Sequence, residues 1–396
     1  IDFKISFVEE KKIQAGYEKY PKKNWRDLIK HKKGVLITDF ADLKEFLIIQ
    51  ELKDGLPRIK FINKKNNKKT EIKFDEEAYQ LNFNEGAEYA SNLIRVNYSA
   101  MNVPATVYQY NLKTEKRKKL KQQKIPAGFN KNKYETKRVF AKSHDGKKIP
   151  ISILKLKTTK NNAPTLLYGY GSYGMSMAPS FSVARLSLVD RGMVFAIAHI
   201  RGGMEKGRQW YLDGKLRKKK NTFKDFIKSA KFLKNSKISG DLTIHGGSAG
   251  GLLIGSTINM APKLFKSAVA DVPFVDVLNT ILDASLPLTP PEWEEWGNPI
   301  LNKNDFLNIQ SYSPYDNVRK QEYPSLLVTA GLTDPRVTYW EAAKWVARLR
   351  ELKTDKNDIF LKTNMDAGHA GKAGRYHQID ETAFMYSFIL NSHNLL

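Results

Sequence analysis

The sequence predicts an α/β domain with a mainly parallel sheet, preceded by an all-β segment. Beyond about residue 126, apolar runs of strand length alternate with amphipathic stretches of helix length. This alternation is typical of a parallel sheet that helices cover on both faces. Before that point, in residues 1–125, apolar and polar residues nearly alternate within short runs separated by charged or Asn-rich turns. Such runs are typical of half-buried strands.

The all-β segment contains four clear strand candidates. They are residues 34–40, 45–52, 93–99 and 105–112. The stretch 118–135 follows, which is polar and contains Pro126 and Gly128, so we predict it to be the linker.

The second segment, residues 126–396, begins with a predicted hairpin that turns at Asp145 and Gly146. The predicted strands that follow are 163–171, 192–200, 242–247, 266–273, 325–331 and 358–364. Helical patterns at 221–236 and 339–353 lie between some of these strands.

Composition excludes several classes of function. The chain of 396 residues contains no cysteine, which excludes disulfides and thiolate catalysis and suits a reducing cytoplasm. It has no apolar run of the roughly 18–20 residues that a membrane helix needs, and no metal constellation or dinucleotide fingerprint. We therefore predict neither a membrane partner nor a cofactor.

The net charge of +25 raises the question of nucleic-acid binding. The lysine runs are scattered along the chain and lack the interleaved aromatic residues of a base-stacking surface. We therefore favour lysines distributed over a solvated surface, with a basic nucleic-acid-binding protein kept as the alternative.

The stretch "IHGGSAGG" places Ser248 where a predicted strand meets a predicted helix. It fits G-x-S-x-G, in which glycines allow the sharp strand-to-helix turn that exposes a nucleophilic serine. An incidental serine in a Gly-rich loop is the alternative reading of the motif alone.

A nucleophilic serine needs a base, and the base needs an orienting acid. Asp334 and His369 follow two successive predicted strands, in the order Ser, Asp, His of α/β hydrolases. His377 and Asp366 are weaker candidates: His377 lacks the glycine setting, and Asp366 lies only three residues from the histidine that it would orient.

Longer motifs resemble the oligopeptidase B (protease II) branch of the prolyl oligopeptidase family, which is specific for basic residues. They are "LLYGYGSYG" (166–174), "AHIRGGMEKGRQWYLDGKLRKKKNTFKDF" (198–226), "GGSAGG" (246–251), "EWEEWGNP" (292–299), "SYSPYDNV" (311–318) and "GLTDPRVTYWEAAKWVARLRELK" (331–353). The resemblance covers nearly all of 136–396. Residues 1–125 resemble the last two to three blades of that family's β-propeller, most clearly at 98–112.

The resemblance implies an α/β-hydrolase domain and a role for each matching residue. Ser248 would attack the scissile carbonyl, with His369 as base and Asp334 as its orienting acid. Tyr170 and the backbone N–H of Ala249 would bind the oxyanion, and Arg336 would hold a substrate carbonyl. Without the resemblance, we favour for Tyr170 an aromatic residue that packs beside a glycine turn, and Arg336 could be a surface cation.

The resemblance also implies the specificity. Glu292 would be the carboxylate that binds the Arg or Lys before the scissile bond, with Glu294 as a possible helper. From the residues alone, a solvated acidic loop is the default reading. Two differences from the family pattern limit how far these roles carry over to this chain. Residues 175–182 lack the acidic residues expected for a second basic site, and Ala370 replaces a glycine beside His369.

Residues 1–125 supply too few strands for a closed propeller, whose blades need about 40–50 residues each. We therefore expect the C-terminal portion of a longer protein, with a separate N-terminal polypeptide as a possible partner. The leading hypothesis is a cytoplasmic serine oligopeptidase that cuts short basic peptides. An acyl-peptide hydrolase or esterase on the same fold and a catalytically incomplete remnant are the alternatives.

Overall fold

The computed structural model describes residues 3–8 and 25–396, so residues 9–24 of the predicted β segment lie outside the described part. The described part of this segment consists of strands joined by short turns. They are β1 (Ile5–Phe7), β2 (Arg26–Ile29), β3 (Val35–Asp42), β4 (Phe46–Lys53), β5 (Leu56–Asn63), β6 (Lys69–Ile72), β7 (Tyr79–Asn84), β8 (Leu93–Ala100), β9 (Val103–Asn111) and β10 (Lys116–Gln122).

These strands form two four-stranded antiparallel sheets and one antiparallel pair. The sheet orders are β3-β4-β5-β6 and β10-β9-β8-β7, and β1 pairs with β2. Side chains of both four-stranded sheets, among them Phe46, Phe61, Leu81 and Val96, share one hydrophobic core. This arrangement explains the alternation in the sequence, because every second residue of β7 and of β8 contributes to that core.

The predicted linker 118–135 is wrong in part. Residues 118–122 belong to β10, which pairs with β9 at the edge of its sheet. Six of the seven residues of β10 are exposed. The strand therefore carries no apolar alternation that could reveal it, and backbone pairing alone defines it.

The α/β part begins with β11 and contains a single eight-stranded sheet. Its strands are β11 (Tyr134–Lys142), β12 (Lys148–Leu156), β13 (Ala163–Tyr168), β14 (Val194–Ala198), β15 (Ser239–Gly247), β16 (Ser267–Asp271), β17 (Ser325–Gly331) and β18 (Ile359–Asn364). The order is β11-β12-β14-β13-β15-β16-β17-β18, antiparallel at the first two pairs and parallel from β14 onward. The predicted strands and the hairpin that turns at Asp145 and Gly146 are confirmed.

Helices cover both faces of this sheet. They are α1 (Val183–Val189), α2 (Arg208–Leu212), α3 (Lys220–Asn235), α4 (Ala249–Met260), α5 (Val277–Leu282), α6 (Thr289–Trp296), α7 (Lys303–Gln310), α8 (Tyr339–Leu352) and α9 (Arg375–Ser392). Apolar residues of α3, α4 and α8 share one core with the sheet, and those of α1 and α9 share another. Neighbouring residues of β13 divide between the two cores, Leu167 entering the first and Leu166 the second. The carboxyl ends of the parallel strands therefore meet at one edge, where loops are free to carry a site.

The two parts of the chain are in direct contact. The Gly55 N–H, in the turn between β4 and β5, donates to the Glu205 carbonyl at 2.7 Å. The Phe181 N–H donates to the Ser99 hydroxyl at 3.0 Å. Met101, at the turn between β8 and β9, is fully buried in the same core as α1 and α9. The β segment therefore packs against the α/β domain.

Two kinds of feature do not occur in residues 3–8 and 25–396. None of the helices there is both long and apolar enough to pass through a bilayer. No group of three or more His, Asp or Glu side chains there is arranged to hold a metal ion.

Truncation of a core aromatic residue should destabilise the α/β domain strongly. Phe226 of α3 is completely buried between the sheet and α4, so Phe226→Ala leaves a cavity. We expect a loss of about 3–5 kcal/mol in the free energy of unfolding, measured by urea denaturation. Phe360→Ala on β18, where Phe360 is 47% exposed, is the control. Equal losses in the two variants would contradict the packing described here.

Candidate active site

The turn between β15 and α4 has the geometry that G-x-S-x-G predicts. Ser248 stands alone between the strand and the helix with φ 57° and ψ −121°, a strained conformation for a residue with a side chain. Backbone hydrogen bonds hold it there: the Ser248 N–H donates to the Asp271 carbonyl at 2.8 Å, and the Ser248 carbonyl accepts from Gly251 at 2.8 Å. The serine side chain is thereby presented at the carboxyl edge of the sheet.

A cavity of about 410 Å³ opens beside this turn. The predicted site residues that line it are Tyr170, Ser248, Ala249, Glu292 and Arg336. Apolar walls come from Phe274, Ile281, Leu286 and Val337. The cavity combines a serine hydroxyl, a cation and a carboxylate in one largely apolar pocket, which is the usual composition of a site for a small ligand.

Two hydrogen-bond donors border Ser248. Ala249 is the first residue of α4, so its N–H has no acceptor within the helix. Burial raises the pKa of Tyr170 to about 12, and the nearby Tyr168, Glu292 and Glu295 act in the same direction, whereas hydrogen bonding with the Ser248 side chain opposes them. The Tyr170 phenol therefore stays protonated at neutral pH and remains a donor.

The predicted acid and base are in contact. His369 Nδ1 lies 2.7 Å from Asp334 Oδ2, and the Asp334 side chain is completely buried. The other oxygen of Asp334 accepts the N–H groups of Arg336 and Val337 at 2.8 and 3.0 Å. The carboxylate is therefore fixed, and it fixes the orientation of the imidazole in turn.

The structure does not bring His369 onto Ser248. Within residues 3–8 and 25–396 no hydrogen bond joins the two side chains. His369 lines a second cavity, also of about 410 Å³, together with Ala370, Gly371 and Glu381. The adjoining Ala370 is exposed, so its additional methyl group meets solvent.

Of the three glutamates of "EWEEWGNP", the structure places Glu292 in the cavity and Glu294 outside it. Glu292 accepts from the Tyr173 hydroxyl at 2.8 Å and the Trp296 indole at 2.6 Å. Burial raises the pKa of Glu292, with Glu295 acting in the same direction and the two hydrogen bonds opposing. Glu294 is exposed and does not line the cavity, so the helper role predicted for it finds no support in its position.

Arg336 lies at the mouth of the cavity. Its side chain is exposed, and it makes no hydrogen bond or ion pair within the described part of the chain. The guanidinium is therefore available to a ligand.

Three buried polar residues were not predicted from the sequence: Glu341, which lines the cavity, and Glu295 and Lys219, which do not. Glu295 is buried and accepts from the Tyr173 N–H at 3.1 Å and the Tyr211 hydroxyl at 2.7 Å. Helical spacing could have identified it, since positions 292 and 295 share a helix face that 294 does not. Glu341 lines the cavity wall and accepts the N–H groups of residues 275 and 276, and burial raises its pKa to about 7. Lys219 is buried behind Tyr170, but nothing in the sequence "LRKKKN" distinguishes it from the neighbouring lysines.

Comparison with known proteins matches both parts of the chain. Residues 179–395 match the prolyl oligopeptidase family, and residues 9–123 match the prolyl oligopeptidase N-terminal β-propeller domain. Dipeptidyl aminopeptidase BI of Pseudoxanthomonas mexicana is 44% identical over 96% of this chain and 53% of its own length. Protease 2 of Moraxella lacunata is 40% identical over 92% of this chain and 53% of its own length.

Solved structures agree with these matches. Oligopeptidase B from Leishmania major superimposes with a TM-score of 0.86 at 42% identity, over 93% of this chain and 53% of its own. Oligopeptidase B from Trypanosoma brucei with covalently bound antipain gives 0.86 at 43% identity, over 93% and 54%. The chain thus spans about half the length of the relatives that it matches. Both of its parts, the β-propeller segment and the α/β domain, belong to the prolyl oligopeptidase family.

Proposed function

We propose that this chain carries the catalytic apparatus of a serine oligopeptidase that hydrolyses short peptides after Arg or Lys. The observation that carries the proposal is the presence of Glu292 in the same cavity as Ser248. A carboxylate in a largely apolar pocket favours a cationic side chain, and it pairs best with a guanidinium. An esterase or acyl-peptide hydrolase for neutral acyl groups would gain nothing from that charge.

The proposed reaction begins with attack of the Ser248 hydroxyl on the scissile carbonyl carbon. His369 takes the hydroxyl proton and then gives it to the leaving amine, which departs and leaves an acyl-enzyme. Water, activated by the same imidazole, hydrolyses the ester and releases the serine. The buried carboxylate of Asp334 stabilises the imidazolium that forms twice in each cycle.

Because His369 and Ser248 are not hydrogen-bonded in the free protein, the first proton transfer needs the 366–372 loop to approach the serine. Such hydrogen bonds commonly shorten only when substrate is bound. The contact with Asp334 comes from a fixed side chain, so the loop can close while the imidazole keeps its orienting partner.

The negative charge that develops on the carbonyl oxygen would be stabilised by Tyr170 and by the Ala249 N–H. A phenol with a pKa of about 12 keeps its proton at neutral pH and can therefore donate a hydrogen bond to an oxyanion. Arg336 would bind a backbone carbonyl of the substrate from the cavity mouth. A cytoplasmic location also remains part of the proposal, since a chain without cysteine suits a reducing compartment.

Ser248→Ala should abolish hydrolysis, because no other side chain at the turn can form the acyl-enzyme. We expect kcat to fall by about 10⁴-fold or more on fluorogenic peptides that end in Arg or Lys. Matched peptides that end in Pro should be poor substrates of the unmodified chain. Free and blocked amino ends should be compared, because one relative is named a dipeptidyl aminopeptidase. Turnover that persists in Ser248→Ala would contradict the proposed mechanism.

Glu292→Gln should convert a selective pocket into an unselective one. The amide keeps the size of the carboxylate and can still accept its hydrogen bonds, but it carries no charge. The transition state of an Arg substrate should therefore be bound about 2–5 kcal/mol less tightly, which lowers kcat/KM roughly 30-fold or more. A norleucine substrate should be nearly unaffected. Glu294→Gln is the matched control and should leave both values unchanged. A similar loss in both glutamine variants would assign the effect to overall charge.

The preference for Arg should decline in mildly acidic solution. Because burial raises the pKa of Glu292 above its ordinary value of 4.5, the carboxylate gains a proton, and loses its attraction for a cation, at a higher pH than an ordinary glutamate. The ratio of kcat/KM for Arg and norleucine substrates, measured between about pH 5 and about pH 8, isolates this effect since His369 affects both substrates equally. The ratio should fall with falling pH in the unmodified chain and stay flat in Glu292→Gln.

A further inference from the structure

A lysine side chain is buried directly behind the candidate site. Lys219 immediately precedes α3, and its side chain is 1% exposed. Its ammonium donates to the Gly171 carbonyl at 2.8 Å and to the Ser172 hydroxyl at 2.6 Å. Both acceptors belong to the turn that carries Tyr170.

The counter-ion of this lysine is Glu295 of α6. Glu295 Oε1 lies 3.9 Å from Lys219 Nζ, and the Glu295 side chain is 4% exposed. The ring of Trp296 lies 4.8 Å from the same ammonium, which adds a cation–π contact. Burial lowers the pKa of Lys219 to about 8, and Glu295 opposes this shift, so the lysine stays charged at neutral pH. Two buried charges this close compensate each other, and removal of one leaves the other unpaired.

The pair acts on a turn that cannot hold its own shape. Gly171, Tyr173 and Gly174 have φ angles of 77°, 57° and 70°, and the value for Tyr173 is unfavourable for a residue with a side chain. Such a conformation persists only where the surroundings impose it. Lys219 binds the turn at 171 and 172, and Glu295 accepts the N–H of Tyr173 at 3.1 Å. Together they fix three consecutive residues next to Tyr170.

Because of this ion pair, the carboxylates of Glu292 and Glu295 have different roles. Glu292 and Glu295 lie three residues apart on α6, and the charge of Glu295 raises the pKa of Glu292. Lys219 balances the charge of Glu295 inside the protein, whereas Glu292 faces the cavity. Tyr173 links the two: its N–H donates to Glu295 and its hydroxyl to Glu292.

We propose that Lys219 and Glu295 are positioning residues, a buried ion pair that fixes the 170–174 turn against α6. The pair would thereby set the distance between the Tyr170 hydroxyl, which meets the oxyanion, and the Glu292 carboxylate, which meets the substrate cation. The inference rests on the proposed function for the identity of that cation. The effect of the ion pair on the position of Tyr170 does not depend on the identity of that cation.

Three variants test the pair: Lys219→Met, Glu295→Gln and the double variant. Methionine is unbranched and uncharged and is one atom shorter than lysine, and glutamine keeps the acceptor for the Tyr173 N–H. Lys218→Met is the matched control, since Lys218 is the adjacent lysine, is 57% exposed and pairs with Asp213 instead. The readouts are kcat and KM for Arg and norleucine esters, and the rate at which a fluorophosphonate labels Ser248.

Lys219→Met should lower kcat and the labelling rate by about 10- to 100-fold for every substrate, because the oxyanion donor is misplaced. It should also raise KM for the Arg ester more than for the norleucine ester. The double variant should be less impaired than the product of the two single effects, since it restores charge balance. Lys218→Met should match the unmodified chain within about twofold.

A folded Lys219→Met that keeps its kcat, its labelling rate and its preference for Arg within about twofold would overturn the proposal, as would strictly multiplicative single effects. If Lys219→Met fails to fold, Glu295→Gln decides, since it removes the charge but keeps the size of the side chain and an acceptor for the Tyr173 N–H: unchanged kinetics there would equally overturn the proposal. An unmodified chain that is labelled at Ser248 but does not prefer Arg would contradict the proposed function only. The labelling rates of the variants would still decide the role of the pair.

Discussion

Three segments of backbone meet at the nucleophile turn more closely than side chains would allow. A Cβ on Gly246 would lie 2.4 Å from the Gly250 carbonyl, and one on Gly169 would lie 2.6 Å from the ring of Phe226. Gly250 in turn faces the Gly169 carbonyl, from which its Cβ would be 3.1 Å distant. The strand that ends at the serine, the helix that starts after it and the turn that carries Tyr170 are therefore in contact through glycines. The remaining site geometry depends on this contact, because it fixes where the Tyr170 phenol and the Ala249 N–H stand relative to the Ser248 hydroxyl.

The parallel sheet then gathers residues that are far apart in the sequence. Tyr170 follows β13, Ser248 follows β15, Asp334 follows β17 and His369 follows β18, so four strand ends deliver four side chains to one edge. Among these four residues, the ones held rigidly are those that form hydrogen bonds with buried carboxylates or with the backbone. His369 has one such partner, Asp334, and it is also the member that must still approach the serine. The turn at Ser248 is thus the rigid part of the site, and the loop at His369 is the part that has to adjust.

The strands and the order Ser, Asp, His could be predicted because their signals are local: periodicity, a glycine motif, and polar residues directly after apolar runs. What could not be predicted depends on tertiary contacts. β10 is a strand only because β9 pairs with it, since its own side chains are solvated. Lys219 sits among basic residues that look alike in the sequence, and only the fold removes one of them from water. Glu294 and Glu295 differ solely in the helix face that they occupy, which requires the helix itself to be known.

The carboxylate in the cavity has the opposite sign to the net charge of the whole chain. A protein of net charge +25 repels a cationic peptide at long range, although salt at physiological strength screens that repulsion beyond about 8 Å. Attraction must therefore come from a carboxylate that the substrate reaches at contact distance and out of bulk water. On the proposed function, Glu292 would supply that carboxylate, and the buried Lys219 balances part of the charge of Glu295, which by itself raises the pKa of Glu292. On that proposal, selectivity for a basic residue would come from the charges placed around one turn, and it would not require an acidic protein.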